Sequence, residues 1–165
     1  RILLVPLFAW RYLTAESEAE YLAAALIVGV SGLTDLFDGK IARKFQQVTE
    51  LGKFLDPLAD KLTQAALLFC LASRFSKLWG LIVIFILKEG FMAVMGLVML
   101  RHNGRKLDGA KWYGKVCTAL LYLVMFLLLL LPEIPGTAAD GLIVLCGGVM
   151  VFTLASYIPV FTKML

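Results

Sequence analysis
The sequence predicts an all-α membrane protein, a bundle of six transmembrane helices, on three observations. Hydrophobic residues make up 61% of the chain and charged residues 17%, with a mean hydropathy of +0.87; a soluble domain carries about 45–50% apolar and about 25% charged residues. Six apolar runs alternate with short polar connectors. At about 20 residues per crossing, a chain of 165 residues holds roughly six spans and little else. So much apolar material with so little charge excludes a disordered chain. The 14 Gly and 5 Pro are scattered, which excludes a collagen-like or low-complexity one.

In chain order the runs cover 2–13, 21–37, 54–73, 78–100, 112–131 and 141–161. The first opens beside Arg1 with no starting Met and no signal peptide, so its helix is expected to be truncated at its N-terminus. The second run ends, and the third begins, with paired aspartates. The fourth holds Lys88 and Glu89 in mid-run, where ionisable groups are expensive; they either pair inside the membrane or face a polar pocket. At the start of the fifth stand Lys111, the last residue of the connector before it, and Lys115, four apart on one helix face, placed to clamp an anion or to anchor the helix among anionic headgroups. The sixth contains Gly147-Gly148, small residues that let helices approach. No connector is long enough to separate domains, so one domain is expected over 1–165. Cys70, Cys117 and Cys146 are odd in number and lie in apolar surroundings, which reads as small buried hydrophobes rather than disulfides or metal ligands.

Charge orients the chain. Connectors 14–20 and 132–140 hold acids and no Lys or Arg, whereas 38–53 carries Lys40, Arg43, Lys44 and Lys53, and 101–111 carries Arg101, Arg105, Lys106 and Lys111. Basic connectors mark the cytoplasmic side, so both chain ends are expected there too. Arg74 and Lys77 dissent from this pattern.

Acidic spacing carries the chemistry. Asp35 and Asp38 are three apart, and Asp56 and Asp60 four apart, so each pair shares one face of its helix. An antiparallel hairpin with a basic connector brings all four carboxylates together at the cytoplasmic membrane edge, lining a polar, metal-binding cavity. Carboxylates so close do not stay ionised without cations between them. Hard oxygen donors select Mg²⁺, Mn²⁺ or Ca²⁺ over zinc, and two divalent ions about 3.5–4 Å apart are the usual device for in-line displacement at phosphorus. Gly39, Ala42 and Gly52 leave room for a ligand to approach the backbone, and Arg43 offers a guanidinium fork for phosphate oxygens.

These residues form the pattern D-x2-D-G-x2-A-R-x8-G-x3-D-x3-D, as Asp35, Asp38, Gly39, Ala42, Arg43, Gly52, Asp56 and Asp60. The pattern resembles the signature of the CDP-alcohol phosphotransferase family at every fixed position. The resemblance implies transfer of a phosphate-linked group from a CDP-alcohol to a second alcohol with release of CMP. It further implies two divalent cations, Mg²⁺ or Mn²⁺, held by Asp35, Asp38 and Asp56 and reached by Asp60, which is the general base. By the same resemblance Gly39, Ala42 and Gly52 make room for the cytidine nucleotide and Arg43 holds the pyrophosphate.

Residues Gly52-Lys-Phe-Leu-Asp-Pro-Leu-Ala-Asp-Lys61 and Arg1-Ile-Leu-Leu-Val-Pro6 are similar to the phosphatidylglycerophosphate synthase and cardiolipin synthase branch. That branch carries an Arg-Glu pair and a Gly-Lys-x-Lys-Thr run; here stand Lys88-Glu89 and Gly114-Lys-Val-Cys-Thr118. The expected donor is therefore CDP-diacylglycerol. The expected acceptor is glycerol 3-phosphate, met by Lys61, Lys88, Lys111 and Lys115; phosphatidylglycerol, as in a cardiolipin synthase, is the alternative. CDP-choline-type donors with a soluble alcohol are a rival within the enzyme class, and a cation transporter using the carboxylates is a rival from another class. Membrane lipids and a second copy of the chain are expected partners and nucleic acid is not. The expected location is the bacterial cytoplasmic membrane, with the site facing the cytoplasm.

Overall fold
The computed structural model describes residues 3–44, 50–103, 111–131 and 133–162; within its helices the side chains of residues 35, 36, 38–44, 50–55, 100, 102 and 103 fall outside the described set. Six α-helices and no strand occur among the described residues: α1 Leu4–Leu13, α2 Glu18–Lys44, α3 Glu50–Ala72, α4 Leu78–Asn103, α5 Trp112–Leu130 and α6 Gly136–Thr162. The chain forms two compact units, Arg1–Arg74 with Met125–Glu133, and Phe75–Val124 with Ile134–Leu165.

In the first unit α1 packs against both α2 and α3. Phe8 and Tyr12 are its buried residues, and the Tyr12 ring lies 5.7 Å from Phe8 and 5.1 Å from Tyr21. The turn into α2 is closed by Glu20, whose carboxylate accepts the Glu16 backbone N–H at 2.7 Å. This variant of the capping box holds the Glu20 carboxyl below the usual range. Along α3, Thr63, Gln64, Leu67, Leu68 and Leu71 form a buried stripe at helical spacing. Pro57 stands inside α3, and its missing N–H removes the donor that would serve the carbonyl four residues back.

In the second unit α4 packs on α6. A Cβ on Gly147 would meet Leu81 and Ile84 at 3.6 Å, ordinary contact, so α4 and α6 approach over Gly147. No described atom lies within 4 Å of a Cβ on Gly148; instead Gly148 lines a groove of about 590 Å³ between α4 and α6. Met99, Tyr157 and Phe161 form a buried cluster with Phe91, Met95 and Tyr113 packed against it. The Tyr157 hydroxyl accepts the Lys111 backbone N–H at 3.1 Å and stands 2.5 Å from where a Cβ on Gly114 would be. Gly114→Ala is therefore expected to displace Tyr157 and cost about 1–3 kcal/mol, read as a lower Tm. Tyr157→Phe added to it should cost less than the two changes summed. An unchanged Tm for Gly114→Ala would show that Tyr157 turns away freely.

Three helices are long and apolar enough to cross a bilayer: Leu78–Met99, Trp112–Leu130 and Gly136–Thr162. This corrects the expected count of six spans, because six helices are present but only three qualify among the described residues. α1 has 10 residues, about 15 Å at helical rise, and α2 and α3 carry the charged motif within their own lengths. Exposed apolar side chains nevertheless run along all the longer helices, among them Leu26, Leu33, Phe69, Val83, Leu97, Leu145 and Phe152. Such surfaces suit contact with lipid rather than water. The two cations that broke the charge pattern are both engaged. The Arg74 guanidinium lies 4.6 Å above the Tyr21 ring, and Lys77 Nζ pairs with Asp140 at 2.7 Å.

Candidate active site
Helical hydrogen bonding needs no apolar side chain, so the motif is carried on helices that outrun their apolar runs. α2 continues through Asp35, Asp38, Gly39, Ala42 and Arg43 to Lys44, and α3 already begins at Glu50. Of the expected connector 38–53, residues 38–44 and 50–53 are helical. Gly52, Asp56 and Asp60 thus follow one another at single-turn intervals on α3, each step about 6 Å along the axis.

Asp56 is exposed, Asp60 half-buried and Gln64 buried at 1% exposure. These three residues, four apart, form a polar row on α3 that descends from the surface into the unit. Lys61 beside it donates from Nζ to Gln64 Oε1 at 3.3 Å, and among the described residues Gln64 Nε2 is buried without a partner. The Thr63 hydroxyl donates to the Ala59 carbonyl at 2.8 Å, so it is spent within its own helix.

The side chains of Asp35, Asp38, Gly39, Ala42, Arg43 and Gly52 lie outside the described set. Among the described residues no group of three His, Cys, Asp or Glu is placed to hold a metal ion. The lysines expected at the acceptor are divided: Lys61 stands with the aspartates in the first unit, and Lys88, Lys111 and Lys115 belong to the second. Lys88 is 6% exposed and its Nζ meets Glu89 Oε1 at 2.5 Å, an ion pair within a membrane-capable helix. Lys111 and Lys115 are exposed. All three cysteines are free and buried, as expected; Cys117, where the synthase pattern has a second lysine, is 1% exposed. Sequence reading missed Gln64, although its place four residues beyond Asp60 continues the spacing of the acid row.

The model of the CDP-alcohol phosphatidyltransferase family matches residues 1–158, and the chain belongs to that family. It is similar to the CDP-diacylglycerol–glycerol-3-phosphate 3-phosphatidyltransferase of Sodalis glossinidius, 32% identical over 135 residues that cover 81% of this chain and 74% of that protein. The enzyme of the same name from Escherichia coli is 31% identical over 136 residues, covering 81% and 74%. The cardiolipin synthase (CMP-forming) of Streptomyces coelicolor is 35% identical over 139 residues, covering 82% of this chain and 63% of that protein. The chain is thus a membrane phosphatidyltransferase of phospholipid synthesis.

Proposed function
We propose that the protein transfers the phosphatidyl group of CDP-diacylglycerol to glycerol 3-phosphate, giving phosphatidylglycerophosphate and CMP, as a single domain over 1–165. The observation that carries this reading is the complete eight-residue motif on α2 and α3, at helical registers that put each aspartate pair on one face. The names of the Sodalis and Escherichia relatives support the acceptor, and so does Lys61, a cation one residue from Asp60 that suits a phosphate dianion better than a phosphodiester.

The donor set fits divalent cations: carboxylate oxygens in two one-turn pairs are hard ligands. Asp35, Asp38 and Asp56, with Asp60, are the residues that would hold two of them, Mg²⁺ or Mn²⁺. When bound, such cations supply charge stabilisation at the transferring phosphorus. Arg43 holds the pyrophosphate, and Gly39, Ala42 and Gly52 leave room for the nucleotide. Asp60 takes the proton of the acceptor hydroxyl as its oxygen bonds to the β-phosphorus. The bond from that phosphorus to the CMP oxygen breaks, and CMP leaves with the electron pair.

The charged ends of α2 and α3 are read as lying at the cytoplasmic membrane edge, which meets an amphiphilic donor at its headgroup while its acyl chains stay in lipid. The working form is read as a homodimer in the bacterial cytoplasmic membrane. Lys111 and Lys115 serve anionic headgroups or the acceptor, and Lys88 contributes only as half of its pair with Glu89.

Purified protein given CDP-diacylglycerol and a divalent cation is expected to release CMP with glycerol 3-phosphate and to form phosphatidylglycerophosphate. Cardiolipin from phosphatidylglycerol, with no product from glycerol 3-phosphate, would overturn the acceptor and leave the motif's chemistry standing. Cation flux without CMP release would favour the transporter reading.

A further inference from the structure
Gln64 is the one residue of the α3 polar row that the motif does not use. It is 1% exposed and sits within a buried stripe whose next members are Leu67, Leu68 and Leu71. Among the described residues its Nε2 is buried with no partner, a cost that a Leu or Met of similar size would not carry. The contacts among the described residues therefore do not account for a glutamine here. What the carboxamide does hold is Lys61: Oε1 accepts from Nζ at 3.3 Å. Helical side chains lean toward the helix N-terminus, so Gln64 reaches back over the turn that bears Asp60 and Lys61.

We propose that Gln64 is a positioning residue for the acceptor: it pins the Lys61 ammonium at the level of Asp60, where that ammonium meets a phosphate oxygen of the acceptor. A lysine side chain is long and flexible, and fixing it beforehand removes an ordering cost from binding. Phosphate oxygens belong to both substrates. The acceptor's is assigned because Lys61 adjoins Asp60, the group that receives the acceptor's proton. This inference rests on the phosphatidyltransferase reading given above.

The test compares wild type, Gln64→Met, Lys61→Met and the double variant, measuring kcat, the KM for each substrate, and Tm. Gln64→Met is expected to raise the KM for glycerol 3-phosphate about tenfold, the scale of a hydrogen bond to a charged group. The KM for CDP-diacylglycerol and kcat should stay within about twofold, and Tm should not fall. On the Lys61→Met background Gln64→Met should add nothing, because Gln64 acts through Lys61. An unchanged acceptor KM, a rise confined to the donor, additive effects in the double variant, or a Gln64→Met protein that does not fold would each overturn the role of Gln64. Wild type that releases no CMP with glycerol 3-phosphate would overturn the underlying acceptor reading and this inference with it. An active wild type beside a neutral Gln64→Met removes only the inference.

Discussion
Asp56→Asn is expected to reduce CMP release by more than about 10²–10³-fold, the loss that follows removal of a single preorganised electrostatic contact. The substitution keeps the side chain's shape and removes its charge, so what it tests is cation binding. Asp56 is exposed on α3, and exposed polar substitutions shift stability by no more than about 0.5 kcal/mol. Tm should therefore stay within a degree or two while activity collapses. Mn²⁺ binding, followed by electron paramagnetic resonance on the same protein, should weaken in parallel, and any residual activity should need a higher cation concentration. Asp35→Asn and Asp38→Asn should behave alike. Full turnover in excess EDTA, or Asp56→Asn with wild-type Mn²⁺ affinity, would sink the two-cation reading.

Hydropathy locates an element well where the lipid-contacting run and the hydrogen-bonded helix share their ends. At α4 and α5 the starts coincide: the runs begin at 78 and 112, and so do the helices. At α6 they do not. The helix begins five residues before its run, because the backbone N–H groups of Ala138 and Ala139 already bond the Pro135 carbonyl. α2 likewise runs seven residues past residue 37, through Arg43 to Lys44. The charged residues of the motif lower the apolarity of α2 and α3, so the helices that carry the motif do not register as spans.

The helical placement of the aspartates was legible because each pair lies within one helix. Contacts between distant residues leave no such local signal. Lys77 and Asp140 are 63 residues apart, and Lys111 and Tyr157 are 46 apart. Gly114 reads in the sequence as part of a Gly-Lys run; only the position of the Tyr157 hydroxyl shows why a side chain there is costly. Lys88 is ambiguous in sequence for a related reason. Residues one apart on a helix ordinarily do not face each other, and the long lysine stem is what closes the pair with Glu89.

Asp60→Asn is expected to separate catalysis from binding, which the other three aspartates should not. Along the α3 row Asp60 lies deeper than Asp56, half-buried against exposed, and next to Lys61, whose ammonium is held by Gln64. That setting favours handling the acceptor's hydroxyl over holding cations alone. A general base contributes about 10²–10⁴-fold, so Asp60→Asn should lose activity on that scale while binding CDP-diacylglycerol and Mn²⁺ far better than Asp38→Asn. If binding of CDP-diacylglycerol collapses as fully in Asp60→Asn as in Asp38→Asn, Asp60 is a ligand first and the proton must go elsewhere. If binding holds while catalysis is lost, the carboxylate at the middle of the α3 row is the base, and the residue beside it is where the acceptor's charge is met.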